Sequence, residues 1–269
     1  MHTFPGLLAA VLYAVATVLL VRRLRADTGD RRVIPSVAVA VAALVLHALA
    51  LRAAIVGPAG LDLGFFNALS LATWVLVLLL VLLSLGQPVI SLGVGVFPLA
   101  ALVVLLDIAF SSGHAAPMLS AQPAGLQVHV LLSICAYGVL GLAAAQAIVL
   151  GIQHKLLHDH HPRRVVHVLP PLYLMETLMF RLLASGFGLL TLALASGFVF
   201  LEDMFAQHLV HKTVLSILAW GLFAALLAGH HFAGWRGPTA VRFTLGGFGL
   251  LVLGYFGSKL VLELILGLP

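Results

Sequence analysis

Residues 125–140 read GLQVHVLLSICAYGVL, an apolar run without Asp, Glu, Lys or Arg that carries one histidine, His129. Residues 37–51, VAVAVAALVLHALAL, have the same character around His47. Both runs lie in apolar stretches of about 20 residues, the length that an α-helix needs to cross a bilayer. The sequence therefore predicts membrane-spanning helices, two of which carry a histidine at depth.

The composition extends this prediction to the rest of the chain. Of the 269 residues, 62% are hydrophobic and 9% are charged, whereas a soluble domain has about 25% charged residues. Hydropathy predicts eight spans of about 20 residues each, at residues 4–21, 33–51, 64–86, 88–106, 124–152, 182–202, 213–231 and 243–265. We therefore expect an all-α, polytopic membrane protein in which residues 1–269 form one integral-membrane domain.

The distribution of Lys and Arg predicts how the chain is oriented. With eight spans, most of the 14 cations fall on one face, namely Arg22, Arg23, Arg25, Arg31, Arg32, Lys155, Arg163, Arg164, Arg181, Arg236 and Arg242. The other face has Arg52, Lys212 and Lys259. Because cytoplasmic loops are enriched in Lys and Arg, we expect both termini on the extracytoplasmic side of a bacterial inner membrane.

Several classes of function are disfavoured by the sequence. The cations behind the net charge of +5 cluster between apolar runs, a pattern that indicates lipid headgroups and topology rather than nucleic acid. Cys135 is the single cysteine, so the chain has no CxxC redox pair and no CxxCH haem attachment site. It has no P-loop, GxSxG, HExxH or dinucleotide-binding fingerprint. We therefore predict that the chain is not an enzyme.

Histidines within apolar runs are the strongest functional signal. Burying an imidazole costs free energy unless its nitrogens find partners, so such a residue is a functional-site candidate. In the predicted topology His47 and His129 lie near the outer ends of their helices, at similar depth. His208 and His211 lie in the outer loop before the seventh span, whereas His230 ends that span at the cytoplasmic face, about 20 Å or more away.

The connector after the fifth span is rich in histidine, with His154, His158, His160, His161 and His167. Histidine-rich tracts sometimes bind metal ions. The alternative is a solvated, mildly basic connector. Pro170 and Pro171 break the connector, and we expect a short amphipathic helix on the membrane surface before the sixth span.

Segments of the second half of the chain resemble the CcsA-like family of cytochrome c assembly proteins. METLMFRLLASGFGLLTLALASGFVF (175–200) resembles the helix before the tryptophan-rich loop of that family, and HKTVLSILAW (211–220) resembles the end of the loop and the next helix. VHVLLSICAYGVL (128–140) resembles a helix with a histidine at its outer start. The last helix hairpin of the family is similar to three further segments, GWRG (234–237), AVRFTLGGFG (240–249) and GYFGSKL (254–260). With eight spans, the chain is most similar to the short HemX-like and YpjD-like branch.

The resemblance implies a haem-binding membrane protein that assists cytochrome c maturation or haem homeostasis. Haem b is then held non-covalently by histidine near the outer face, and other proteins of these pathways are possible partners. By the resemblance, His129 is an iron ligand, Lys212 closes the loop, and Trp220 lies in the helix that follows. His47 has no counterpart among the family motifs, but its matching depth makes it the candidate for the second axial ligand.

Other residues are weaker candidates for the same site. His211 lies where the loop ends, and His230 lies about two positions from the histidine that the family has in this helix, so it belongs to a second, inner site if it binds haem. Because haem carries two propionates, we expect a cation of the outer face to pair with one of them. The candidates are Arg52, Lys212 and Lys259; alternatively, Arg52 reaches the headgroups and Lys259 pairs with Glu263.

Two departures from the family leave a second hypothesis open. FLEDMFAQHLVHKT (200–213), at the place of the tryptophan-rich loop, contains no tryptophan, and no histidine follows the last span. The alternative is a membrane scaffold or small-solute transporter that keeps the fold and binds no haem. In that case His129 is a packing histidine bonded to a helix carbonyl or to a serine such as Ser133. The two histidines at one depth favour haem binding.

Overall fold

The computed structural model describes residues 3–25, 34–57, 60–61, 64–86, 89–110, 124–158, 171–200 and 210–257. These residues form eight long α-helices: α1 (Thr3–Arg25), α2 (Ile34–Ile55), α3 (Phe65–Ser84), α4 (Gly93–Phe110), α5 (Ala124–His158), α6 (Leu172–Phe200), α7 (Val210–Ala233) and α8 (Gly237–Val252). Eight helices are long and apolar enough to cross a membrane, when α4 is counted with the turn before it (Ile90–Phe110) and α8 with the turn after it (Gly237–Gly257). The prediction of a nearly all-helical protein with eight spans is thereby confirmed.

Short elements connect some of the helices. After α2, Val56–Gly57 (β1) and Gly60–Leu61 (β2) pair as an antiparallel hairpin. A 3₁₀ turn, Ile90–Leu92, leads into α4, and α8 continues into a π-helical turn, Leu253–Gly257. The connection between α3 and α4 is short, since α3 ends at Ser84 and the 3₁₀ turn begins at Ile90.

Helix α6 starts ten residues before the predicted sixth span. The expected break between an amphipathic segment and the span is wrong, because one continuous helix begins at Leu172. Leu178 and Phe180, which fall in the segment expected on the membrane surface, are buried in the protein, whereas Tyr173 of the same segment is exposed. Contacts with neighbouring helices therefore extend α6 beyond the apolar run that hydropathy detects.

The first compact unit contains α1–α4. In this unit α1 packs against α2, α2 against α3, α3 against α4, and α4 against α1, so the four helices form a closed ring. The interior of the ring contains the large buried side chains Tyr13, Leu80 and Phe97.

The second compact unit contains α5–α8. Its helices pack in the same cyclic order, α5 on α6, α6 on α7, α7 on α8 and α8 on α5. Gly186 of α6 lies directly against Leu140 of α5, so these two helices approach closely. The expectation of one integral-membrane domain stays a prediction beside this division into two units.

Candidate functional site

His129 lies in the second turn of α5 and faces the last part of α6. Its Nδ1 is 2.8 Å from the carbonyl oxygen of Ala193 and 3.1 Å from Oγ of Ser196. The ring is half-buried. The start of α5 is fixed against the end of α6 because Gly125 lies against the ring of Phe200. The packing of these two helices therefore holds the imidazole in one orientation.

The partners of His129 determine which of its nitrogens carries the proton. A backbone carbonyl accepts hydrogen bonds but cannot donate one. Nδ1 of His129 therefore donates its proton to Ala193, and in the neutral ring Nε2 keeps its lone pair. A histidine that ligates a metal through Nε2 commonly has Nδ1–H fixed by a carbonyl in this way. The geometry of His129 therefore suits an iron ligand.

Lys212 lies at the same end of the second unit as His129. It is in the first turn of α7, and its Nζ is 5.7 Å from the centre of the Tyr255 ring, in a cation–π contact. The neighbouring His211 is exposed. The structure thus places Lys212 and His211 at the end of the unit that carries His129. Both lie in the first turn of α7, whereas the sequence predicted His211 in the loop before this helix.

Trp220 and Tyr137 fix neighbouring helices below this end of the unit. Nε1 of Trp220 donates to Oγ1 of Thr191 at 2.9 Å, and its ring stacks on Phe187 of α6. The hydroxyl of Tyr137 donates to the carbonyl of Leu251, at 2.7 Å, just before the π-helical turn. Both side chains use their polar atoms to join helices of the unit, so their contacts stabilise the packing of these helices.

His47 lies at the centre of the first unit and is fully buried, as are Tyr13 and Ser70. Its Nδ1 is 3.2 Å from the hydroxyl of Tyr13, and its Nε2 is 3.0 Å from Oγ of Ser70. Both nitrogens of His47 therefore have partners, from α1 and from α3. A bond from either nitrogen to iron would require the loss of one of these hydrogen bonds.

The two predicted iron ligands lie in different units, and their pairing on one iron stays a prediction. Arg52, the cation predicted near the outer end of α2, is exposed in the last turn of that helix. Nearby in the first unit, Nε1 of Trp74 donates to the carbonyl of Leu44 at 2.9 Å. His208 and Lys259 lie outside the described residues.

His230 lies at the opposite end of the second unit from His129. Between Lys212 and His230, α7 rises by about 27 Å at 1.5 Å per residue, so His230 and His129 cannot share an iron. Nδ1 of His230 donates to the carbonyl of Trp235 at 2.9 Å, and its ring stacks on Phe180. As for His129, this bond leaves Nε2 with its lone pair.

The same end of the unit contains a buried polar contact. Oε1 of Glu176 accepts the N–H of Gly237 at 2.7 Å, which caps the start of α8. Gly237 has a φ of +56°, which a glycine adopts without strain. Nε2 of His154 is buried close to this glycine and has no hydrogen-bond partner. Within the described parts of the chain, no three His, Cys, Asp or Glu side chains are placed to hold a metal ion.

The sequence did not reveal the residues that orient the two histidines. Ala193 and Ser196 reach His129 from 64 and 67 positions along the chain, and Tyr13 reaches His47 from 34 positions. Only the order in which helices pack brings such residues together. The sequence did contain one hint, since Ser196 lies in the small-residue stretch of α6 that resembles the family.

The profile of the family described as cytochrome C assembly protein matches residues 35–266. The inner membrane protein YpjD of Escherichia coli (strain K12) is 34% identical over 266 residues, which cover 97% of this chain and 98% of that protein. An uncharacterized 28.8 kDa protein in the nifR3-like 5′ region of Azospirillum brasilense is 31% identical over 144 residues, 53% of either chain. No solved structure matches the chain significantly.

Proposed function

The chain belongs to the cytochrome c assembly protein family and spans the inner membrane several times, and from this premise we propose that it binds haem b non-covalently. His129 is the iron ligand in this proposal. The bound haem serves cytochrome c maturation or haem homeostasis, together with other membrane proteins of these pathways.

The observation that carries the proposal is that the hydrogen bond from Nδ1 of His129 to the Ala193 carbonyl, a bond that a packing histidine also makes, occupies one ring nitrogen and leaves Nε2 for a ligand. This bond leaves the lone pair of Nε2 available. Because two helices hold the ring in place, the side chain loses little conformational freedom when a metal binds. The donor type also fits, because neutral imidazole is a common axial ligand of haem iron. Bound haem supplies a redox-active iron; the residues of this chain supply its position.

Lys212 supports the proposal from the same end of the unit. The propionates of haem need cations or hydrogen-bond donors when they leave water. The contact with Tyr255 holds the ammonium group of Lys212 at this end of the unit. We propose that Lys212 pairs with a propionate and that this end of the unit faces outward, as the positive-inside rule predicts.

The direct test is a pyridine haemochrome spectrum of the detergent-purified protein beside a His129→Ala variant. We expect a b-type signal in the wild type, before or after addition of haem, and its loss in the variant. His231→Ala is the matched control, because His231 is exposed on α7, and it should keep the signal. A folded wild type that takes up no haem would favour the scaffold or transporter hypothesis.

A further inference from the structure

The two units share more than the cyclic order of their helices. The connection from α2 to α3 comprises residues 56–64, and the connection from α6 to α7 comprises residues 201–209, which is the same length. Many transporter folds contain internal repeats of this kind, and they are often hard to see in the sequence.

Many buried positions of corresponding helices match with a constant shift of 146 residues, for example Leu44 and Leu190. Other buried positions, namely Ala43, Ala50, Ala68, Ser70 and Val81, have partly or fully exposed counterparts. Between α2 and α6 the matched buried pairs are Ser36 and Leu182, Ala40 and Gly186, Leu44 and Leu190, His47 and Ala193, and Leu51 and Gly197. Between α3 and α7 they are Asn67 and Thr213, Thr73 and Ala219, Val77 and Phe223, and Leu80 and Leu226. For any two helices that each have one buried face, the buried positions coincide at some shift. Two successive pairs of helices are expected to have the same shift if the two units correspond.

The tryptophans give independent support for the same shift. Trp74 of α3 donates its indole N–H to the carbonyl of Leu44 on α2. Trp220, 146 residues later, donates its indole N–H to Thr191 on α6. Thr191 is next to Leu190, the counterpart of Leu44. The third helix of each unit is thus tied to the second helix by the same side chain at the same height.

The first helices of the units correspond through their contacts with the second helices. Tyr13 contacts His47 on α2, and His129 contacts Ala193 on α6. Because Ala193 is the counterpart of His47 under the shift, Tyr13 and His129 occupy equivalent positions.

We propose that the chain is a tandem repeat of one four-helix unit. The second unit holds the haem, and in the first unit the equivalent place is filled by side chains. This inference rests on the proposed function for the haem. Tyr13 of the first unit lies at the position that corresponds to His129 of the second unit. The Tyr13 hydroxyl is hydrogen-bonded to His47. His47 in turn bonds to Ser70, so the equivalent place is filled by a hydrogen-bonded chain across three helices. His47 therefore joins helices and does not bind iron, and each chain holds one haem.

The ratio of haem to chain in the purified full-length protein tests whether the equivalent place in the first unit is filled. The wild type should hold one haem per chain. His47→Gln keeps hydrogen-bonding groups at this place but removes the imidazole, and it should keep that ratio and the wild-type absorbance bands while unfolding at a lower temperature. His129→Ala should hold none. Two haems in the wild type, or lost or altered haem bands in a folded His47→Gln variant, would overturn the inference.

An exchange of residues tests the repeat without any haem. His129→Tyr with Ala193→His places in the second unit the pair that the first unit has. If the positions are equivalent, the two changes should be coupled, so that the double variant unfolds at a higher temperature than its two single variants predict. Strictly additive effects would overturn the repeat. A wild type without haem would instead remove the proposed function and the assignment of one haem, and the coupling would still decide the repeat.

Discussion

His129 and His47 show how the partners of a histidine decide which of its ring nitrogens are occupied. A carbonyl partner for one nitrogen leaves the other with a lone pair, as in His129. Two hydroxyl partners occupy both nitrogens, as in His47. The second arrangement satisfies a polar group that is fully buried in an apolar helix bundle, which would otherwise cost free energy.

Ser196 should affect haem affinity through His129. The change Ser196→Ala removes one of the two oxygens near Nδ1 but leaves the Ala193 carbonyl. Partners that orient a metal ligand typically contribute 10–100-fold in affinity, so with one partner retained we expect a loss of roughly 10-fold. Titration of haem into the purified variant, followed by absorbance, measures this loss.

Ser133→Ala is the control for this prediction. The Ser133 hydroxyl bonds to the backbone carbonyl of His129 and does not contact the ring nitrogens. Its removal should leave the affinity unchanged. Equal affinities in the Ser196→Ala variant and the wild type would show that Ser196 does not orient the ligand.

Two glycines of α6 differ in what surrounds them. A Cβ at position 186 would lie 2.7 Å from the side chain and 3.3 Å from the backbone nitrogen of Leu140, whereas nothing lies within 4 Å of one at position 188. Gly186→Ala should therefore lower the free energy of unfolding by about 1–3 kcal/mol, the usual cost of overpacking. Gly188→Ala should raise it by about 0.5–1 kcal/mol, because alanine favours the helix.

Unfolding of both variants in detergent micelles by added denaturant measures the difference. Because the two glycines lie on one helix, changes in helix propensity affect both variants alike. Similar stabilities for the two would contradict the close approach of α5 and α6.

The elements were largely predictable because a bilayer requires long apolar helices. All eight spans were found from hydropathy, which reports the apolar length of a segment. The start of α6 was not, because Glu176 and Arg181 interrupt the apolar pattern. In the structure Oε1 of Glu176 accepts a hydrogen bond from the start of α8, so this carboxylate has a partner far along the chain that hydropathy does not detect.

The site was predictable only in part, for a similar reason. His129, Lys212 and Trp220 followed from the resemblance of short segments to a family. Ser196, Ala193 and Tyr13 did not, because their roles depend on which helices pack together. The proposed tandem arrangement was not predicted from the sequence either, since the matched positions of the two units rarely carry the same residue type.

At the scale of the whole molecule, the orientation in the membrane remains a prediction of the charge distribution. Alkaline phosphatase fused after residue 269 should be active, because this enzyme folds only outside the cytoplasm and the C-terminus is predicted to lie there. A fusion within residues 159–170 should be inactive. The reverse pattern would contradict the assignment of Lys212 and His129 to the outer face.

The central claim is that the imidazole of His129 binds the haem iron, and chemical rescue tests it most directly. A His129→Gly variant removes the ring and leaves a space that free imidazole can enter. We predict that the purified variant shows no b-type spectrum with added haem and regains the wild-type absorbance bands when imidazole is supplied. A variant that binds haem with the wild-type spectrum in the absence of imidazole would contradict the claim.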